Sequence, residues 1–154
     1  MIYRITIFFL FLLVGISTYG QNGNVIIQVN GKLITEGLAN TYVRVNDDGT
    51  DRSFDISYVP GKISIRETVW KFIEKDTSGT FDFHFDYYTF KRQNTDIKNF
   101  KVELSKGLLE KEYLIINIYD FRNRKYRKWY GPYTDEDYLV ELSYPNGPMY
   151  PPYK

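Results

Sequence analysis

The chain predicts a mainly β fold, either an antiparallel β-sandwich or a partly open barrel, of about eight strands with one short helix near residues 66–75. Three observations point there. Apolar residues fall at every second position along several short segments, and Gly, Pro, Asn and Asp separate those segments at short intervals. Aromatic residues make up 18% of the chain while alanine, the best helix former, occurs once, at Ala39.

The N-terminus comes before the strands. MIYR carries one positive charge and leads into the apolar ITIFFLFLLVGIS, which ends in Ser17, Thr18, Tyr19 and Gly20. That order is the layout of a secretory signal peptide. The apolar run is about a dozen residues, short of the roughly 20 that cross a bilayer as a helix. Residues 1–20 are therefore expected to be removed, with an uncleaved anchor as the alternative. This leaves 21–154 as a single β-rich domain, periplasmic or secreted, with no transmembrane span. The chain has no cysteine, which excludes a thioether-linked lipid, a disulfide scaffold, a zinc ribbon and a cysteine nucleophile.

Strands are expected along Asn24–Ile34, Thr41–Asn46 and Arg52–Val59. Asp47 to Thr50, DDGT, lies between the second and third and carries the Asp-Gly signal of a tight hairpin turn. Pro60 and Gly61 end the third. The period then changes: Val69, Phe72 and Ile73 are spaced i, i+3, i+4, and Ser64 with Glu67 fits a capping box, so a helix is expected over 66–75. Thr80–Phe90 alternates most regularly, with Phe81, Phe83, Phe85 and Tyr87 on the core side and Asp82, His84, Asp86 and Tyr88 on the wet side. KRQNTDIKN reads as a polar loop, and Phe100–Leu104 alternates again. Tyr113–Phe121 has apolar residues on both faces, as a central strand does. RNR then turns the chain, with Asn123 best suited to a left-handed conformation, and KYRKWY returns as the partner strand. Tyr138–Tyr144 is the last strand, and a proline-rich tail follows that cannot pair inside a sheet.

Three clusters carry candidate chemistry. Asp82, His84 and Asp86 share one strand face, so two carboxylates flank the single histidine of the chain, in a position to hold a divalent metal or to orient a base. A solvated face opposite a phenylalanine row explains the same pattern. Asp47 to Asp51, DDGTD, offers oxygens to calcium but lacks the spacing and terminal glutamate of an EF-hand, and a hairpin turn accounts for it. Arg122 to Tyr130 interleaves cations with aromatics, and Arg124, Lys125, Arg127, Lys128 and Trp129 are its candidate binding residues for an acidic surface. As a hairpin it would put Arg127 and Trp129 on the exposed face, opposite Tyr126, Lys128 and Tyr130. Edge-protecting charges are the competing explanation.

Once Arg4 leaves with the leader, 19 cations face 19 carboxylates, so no global field draws the domain to nucleic acid or to an anionic membrane. No G-x-S-x-G, Walker, G-x-G-x-x-G or H-E-x-x-H signature is present, and no cofactor is expected. The resulting expectation is an exported, non-catalytic binding or structural module that meets a protein or an anionic glycan through a sheet face or the 122–130 hairpin. A small metal-assisted hydrolase centred on Asp82, His84 and Asp86 is the alternative.

Overall fold

A computed structural model of the chain describes residues 20–47, 49–75, 79–91, 94–131 and 136–147. Residues 1–19, most of the expected leader, and the proline-rich tail from residue 148 onward lie outside them. The described chain runs β1 (Gln21–Gly23), β2 (Val25–Val29), β3 (Lys32–Leu33), β4 (Ala39–Asp47), β5 (Thr50–Asp55), β6 (Ser57–Val59), β7 (Lys62–Ile65), α1 (Glu67–Lys75), β8 (Thr80–Lys91), β9 (Asn94–Ser105), α2 (Lys106–Leu109), β10 (Leu114–Asp120), α3 (Arg124–Tyr130) and β11 (Tyr138–Ser143). The molecule is mainly β and sandwich-like, without a closed barrel among the described residues.

Three sheets form, in the orders β1-β7-β6, β11-β10-β2-β3 and β5-β4-β8-β9. Neighbours are antiparallel except for β2 and β10, which run parallel, with Val25 beside Leu114 and Val29 beside Ile118. One hydrophobic cluster unites the inner faces. It holds Val25, Ile27 and Val29 of β2, Leu114, Ile116 and Ile118 of β10, and Phe81, Phe83 and Phe85 of β8. Phe85 and Phe100 meet with ring centroids 5.6 Å apart, and α1 adds Val69, Trp70 and Ile73. Period two therefore puts the β8 phenylalanines inside as expected.

Several segments depart from the sequence reading, each for a local reason. Residues 24–34 are two strands, because Asn30 (φ 54°) and Gly31 (φ 74°) form a two-residue turn that brings Val29 opposite Lys32. Helix α1 forms where the period changes, but without the capping box. Ser64 belongs to β7 and donates its hydroxyl hydrogen to Asn22 Oδ1 at 2.8 Å. The expected polar loop from Lys91 is mostly β9, which pairs with β8 from Asn94 onward. Pairing between β4 and β8 stops at Ala39 and Asp86, so Tyr87–Lys91 and Asn94–Lys98 extend as a two-stranded ribbon.

The largest correction concerns KYRKWY, which is helix α3 and not a returning strand. Both edges of β10 are already taken, by β2 on one side and β11 on the other, so this segment cannot return as the partner strand of β10. Asn123 is extended (φ −82°, ψ 113°) and not left-handed.

Candidate functional site

Helix α3 is built from its cap upward. Asn123 ends the turn after β10, and its Oδ1 accepts the Lys125 N–H at 3.0 Å, satisfying a backbone donor that the first turn would otherwise leave unpaired. Tyr126 and Tyr130, four residues apart, lie over Tyr119 of β10, with ring centroids 5.2 and 4.7 Å from it. The Tyr126 hydroxyl donates to the Asn30 carbonyl at 3.1 Å, which pins the helix to the β2–β3 turn. Below it the Tyr119 hydroxyl donates to Glu141 at 2.9 Å, and burial together with this bond raises its pKa.

With the tyrosines turned inward, the cations turn out. At about 100° per residue, Arg124, Arg127 and Lys128 fall within an arc of about 100°, where a hairpin would have split them between two faces. All three are exposed, and none has an ion-pair partner among the described residues. On the flank, the Lys125 ammonium sits 4.5 Å from the ring centroid of Trp129, which is 50% exposed. The five residues singled out from the sequence thus all lie away from the inward tyrosines, spread over an arc of about 200° with Arg127 and Trp129 on opposite flanks.

Beside the helix is a charged cluster that the sequence reading missed. Asp120 ends β10, is only 3% exposed, and accepts from Lys98 Nζ at 3.1 Å and from Arg122 N and Nε at 3.0 and 2.7 Å. Burial alone would raise its pKa, but the bonds from Arg122 and Lys98 outweigh it and hold the carboxyl below its ordinary value. Arg122 also donates to Asp96 at 2.6 Å, and Lys98 pairs with Asp137 at 2.7 Å. The pairs that join distant segments, Lys98 with Asp120, Arg122 with Asp96 and Lys98 with Asp137, are 22, 26 and 39 residues apart in sequence, so no local spacing announced them. The one available signal was a carboxylate closing an otherwise apolar strand.

The second cluster is on the outer face of the β5-β4-β8-β9 sheet. Asp82, His84 and Asp86 do share that face, but His84 is not solvated: it is 6% exposed and stacks on Tyr42 with centroids 4.6 Å apart and planes within 5°. Neither ring nitrogen has a hydrogen-bond partner among the described residues. Asp86 is held by the amides of Asn40 and Asn99, the latter at 3.1 Å, while Asp82 lies 3.8 Å from the Lys101 ammonium. Among the described residues no group of three acidic or imidazole side chains is gathered to hold a metal. In the DDGTD segment, Asp47 pairs with Thr50 and Gly49 takes φ 80°, the hairpin geometry expected. Asn46 closes the turn, accepting the Gly49 N–H at 3.0 Å and donating to Asp51 at 3.2 Å. Asp48 lies outside the described residues.

No protein-family model, no curated protein and no solved structure matches the chain.

Proposed function

We propose that the protein is an exported, non-catalytic binding module of the periplasm or cell exterior that holds an acidic glycan on the outer face of α3. Arg124, Lys125, Arg127 and Lys128 supply the charge contacts, and Trp129 supplies a flat apolar platform for a sugar ring. The observation that carries this reading is the gathering of three cations without ion-pair partners among the described residues beside a half-exposed indole. A helix presents them as one strip, which suits a ligand with repeating negative charge. The near-zero net charge of the residues after the leader gives no general attraction to polyanions, so binding depends on this strip.

The test uses polygalacturonate as the probe, with vesicles containing phosphatidylglycerol and an acidic protein as comparison ligands. Affinity for polygalacturonate should fall roughly 40-fold between 50 and 200 mM salt, as the release of about three counterions predicts. Arg127→Glu should weaken it by about tenfold or more at low salt, and Trp129→Ala by several-fold at every salt concentration, with unchanged unfolding midpoints. Equal binding by wild type and Arg127→Glu, or preference for the vesicles, would overturn the assignment. The export part is checked separately by mass spectrometry of protein recovered from its native host, which should give an N-terminus near Gln21. Intact Met1 in the membrane fraction would make the leader an anchor.

A further inference from the structure

The parallel strands β2 and β10 end side by side, at Val29 and Asp120, and a cleft of about 320 Å³ opens beyond their carboxyl ends. One wall is the β8–β9 ribbon, through Tyr87, Thr89 and Asp96; the other is formed by Asn30, Lys32 and Asn123, with Asp120 and Arg122 also lining the cleft. Its size is at the small end of the range for small-ligand sites, roughly 300–1,000 Å³. Two of its residues also shape α3: Asn30 accepts the Tyr126 hydroxyl through its carbonyl, and Asn123 caps the helix. The cleft and the cationic strip are therefore contiguous.

The chemistry of the lining narrows the ligand. Asp120 is bound to both Arg122 and Lys98 and Asp96 to Arg122, so each carboxylate already has a cation beside it. Those same two carboxylates repel a phosphate or sulfate. Counting Lys32, Lys98 and Arg122 against Asp96, Asp120 and Asp137, the charges balance. What remains is alternating donors and acceptors. The Asn30 and Asn123 side-chain amides, the Lys32 ammonium and the Thr89 hydroxyl have no recorded acceptor among the described residues, while Asp96 keeps acceptor capacity beyond its single bond to Arg122. Vicinal hydroxyls, each both donor and acceptor, fit such a lining, and Tyr87 offers an aromatic edge.

We propose that this cleft is a saccharide subsite, taking one hydroxyl-rich ring of the glycan whose acidic groups lie along α3; the assignment rests on the reading of α3 given above. The ring itself carries no charge, so its affinity is nearly insensitive to salt, unlike that of the strip.

The experiment is amide NMR on the full chain, with neutral trisaccharides of galactose, glucose and N-acetylglucosamine as probes, and polygalacturonate in parallel. At least one neutral trisaccharide should shift the amides of Asn30, Thr89, Asp96 and Asn123 at about millimolar concentration, with equal affinity at 50 and 200 mM salt. Asp96→Asn, which keeps the side-chain shape, should weaken that trisaccharide about tenfold, and Lys32→Ala several-fold, while Arg127→Glu leaves it unchanged. No shift at those four amides with any neutral probe overturns the subsite, even where polygalacturonate still binds α3. Polygalacturonate failing to bind while a neutral trisaccharide shifts the four amides supports the cleft and removes the helix reading, so the two failures are distinguishable.

Discussion

Asp120 and His84 are both buried polar residues, and they meet the cost of burial in opposite ways. Asp120 stays ionised because Arg122 and Lys98 surround it with charge-assisted bonds. Removing its charge takes one of two carboxylate partners from Arg122 and from the nearly buried Lys98, which keep Asp96 and Asp137. Asp120→Asn is therefore expected to cost about 3 kcal/mol in chemical denaturation, the low end of the range for breaking one side of a buried pair. Because the folded pKa is depressed, the contribution is complete above the ordinary carboxyl value of about 3.9 and is lost as pH falls through it toward the folded value. His84 instead stays neutral. Burial is the main force lowering its pKa, helped by the charges of Arg44 and Lys101 and opposed by Asn99 and Asp82. An unfolded chain then takes up the proton first, so its contribution is complete above about pH 6.5 and declines as pH drops below that. With a single histidine in the chain, this window belongs to His84. The wild-type melting midpoint should fall between about pH 7 and 5.5, and His84→Phe, which keeps the stack on Tyr42, should flatten that slope. An unchanged slope in the variant would place the titration elsewhere.

At the scale of elements, α3 shows how one spacing serves two periods. Tyr126, Lys128 and Tyr130 alternate as a strand would, yet Tyr126 and Tyr130 are also i and i+4 on a helix. Neither period decides alone. The occupied edges of β10 and the tyrosine platform at Tyr119 select the helix. Asn123 contributes locally, and Asn123→Ala should cost about 1 kcal/mol, as loss of an N-cap typically does. A loss near zero in denaturant titration would mean that the tyrosine stack alone holds the helix. The β8–β9 ribbon illustrates a different limit. Its outer part carries Phe90, 78% exposed, beside polar residues, so hydrophobic patterning there faded and Asn94–Asn99 read as loop. What makes it strand is the continuation of a ladder already started by the phenylalanines of β8.

For the whole molecule, the sequence by itself determined the fold class and most core faces. Side-chain alternation is a local consequence of the pleat, and a row such as Phe81, Phe83 and Phe85 has one stable destination, the interior. The Asp-Gly turn and the helix after Ile65 were legible for the same reason, since each depends on a few adjacent residues. Tertiary structure alone decided which strands became neighbours. The parallel pairing of β2 with β10 joins segments about 90 residues apart, and no local rule encodes it. That pairing in turn fixed everything at the candidate site. It ended two strands together to open the cleft, and with β2 and β11 on both edges of β10, residues 124–130 could not return as its partner strand. Packing of β9 beside the end of β10 brought Lys98 and Arg122 onto the buried Asp120 carboxylate. The sequence named Arg124, Lys125, Arg127, Lys128 and Trp129 from composition, because cations interleaved with aromatics are visible in one dimension. Which of them lie side by side was not visible, because that depends on the conformation that long-range packing selects.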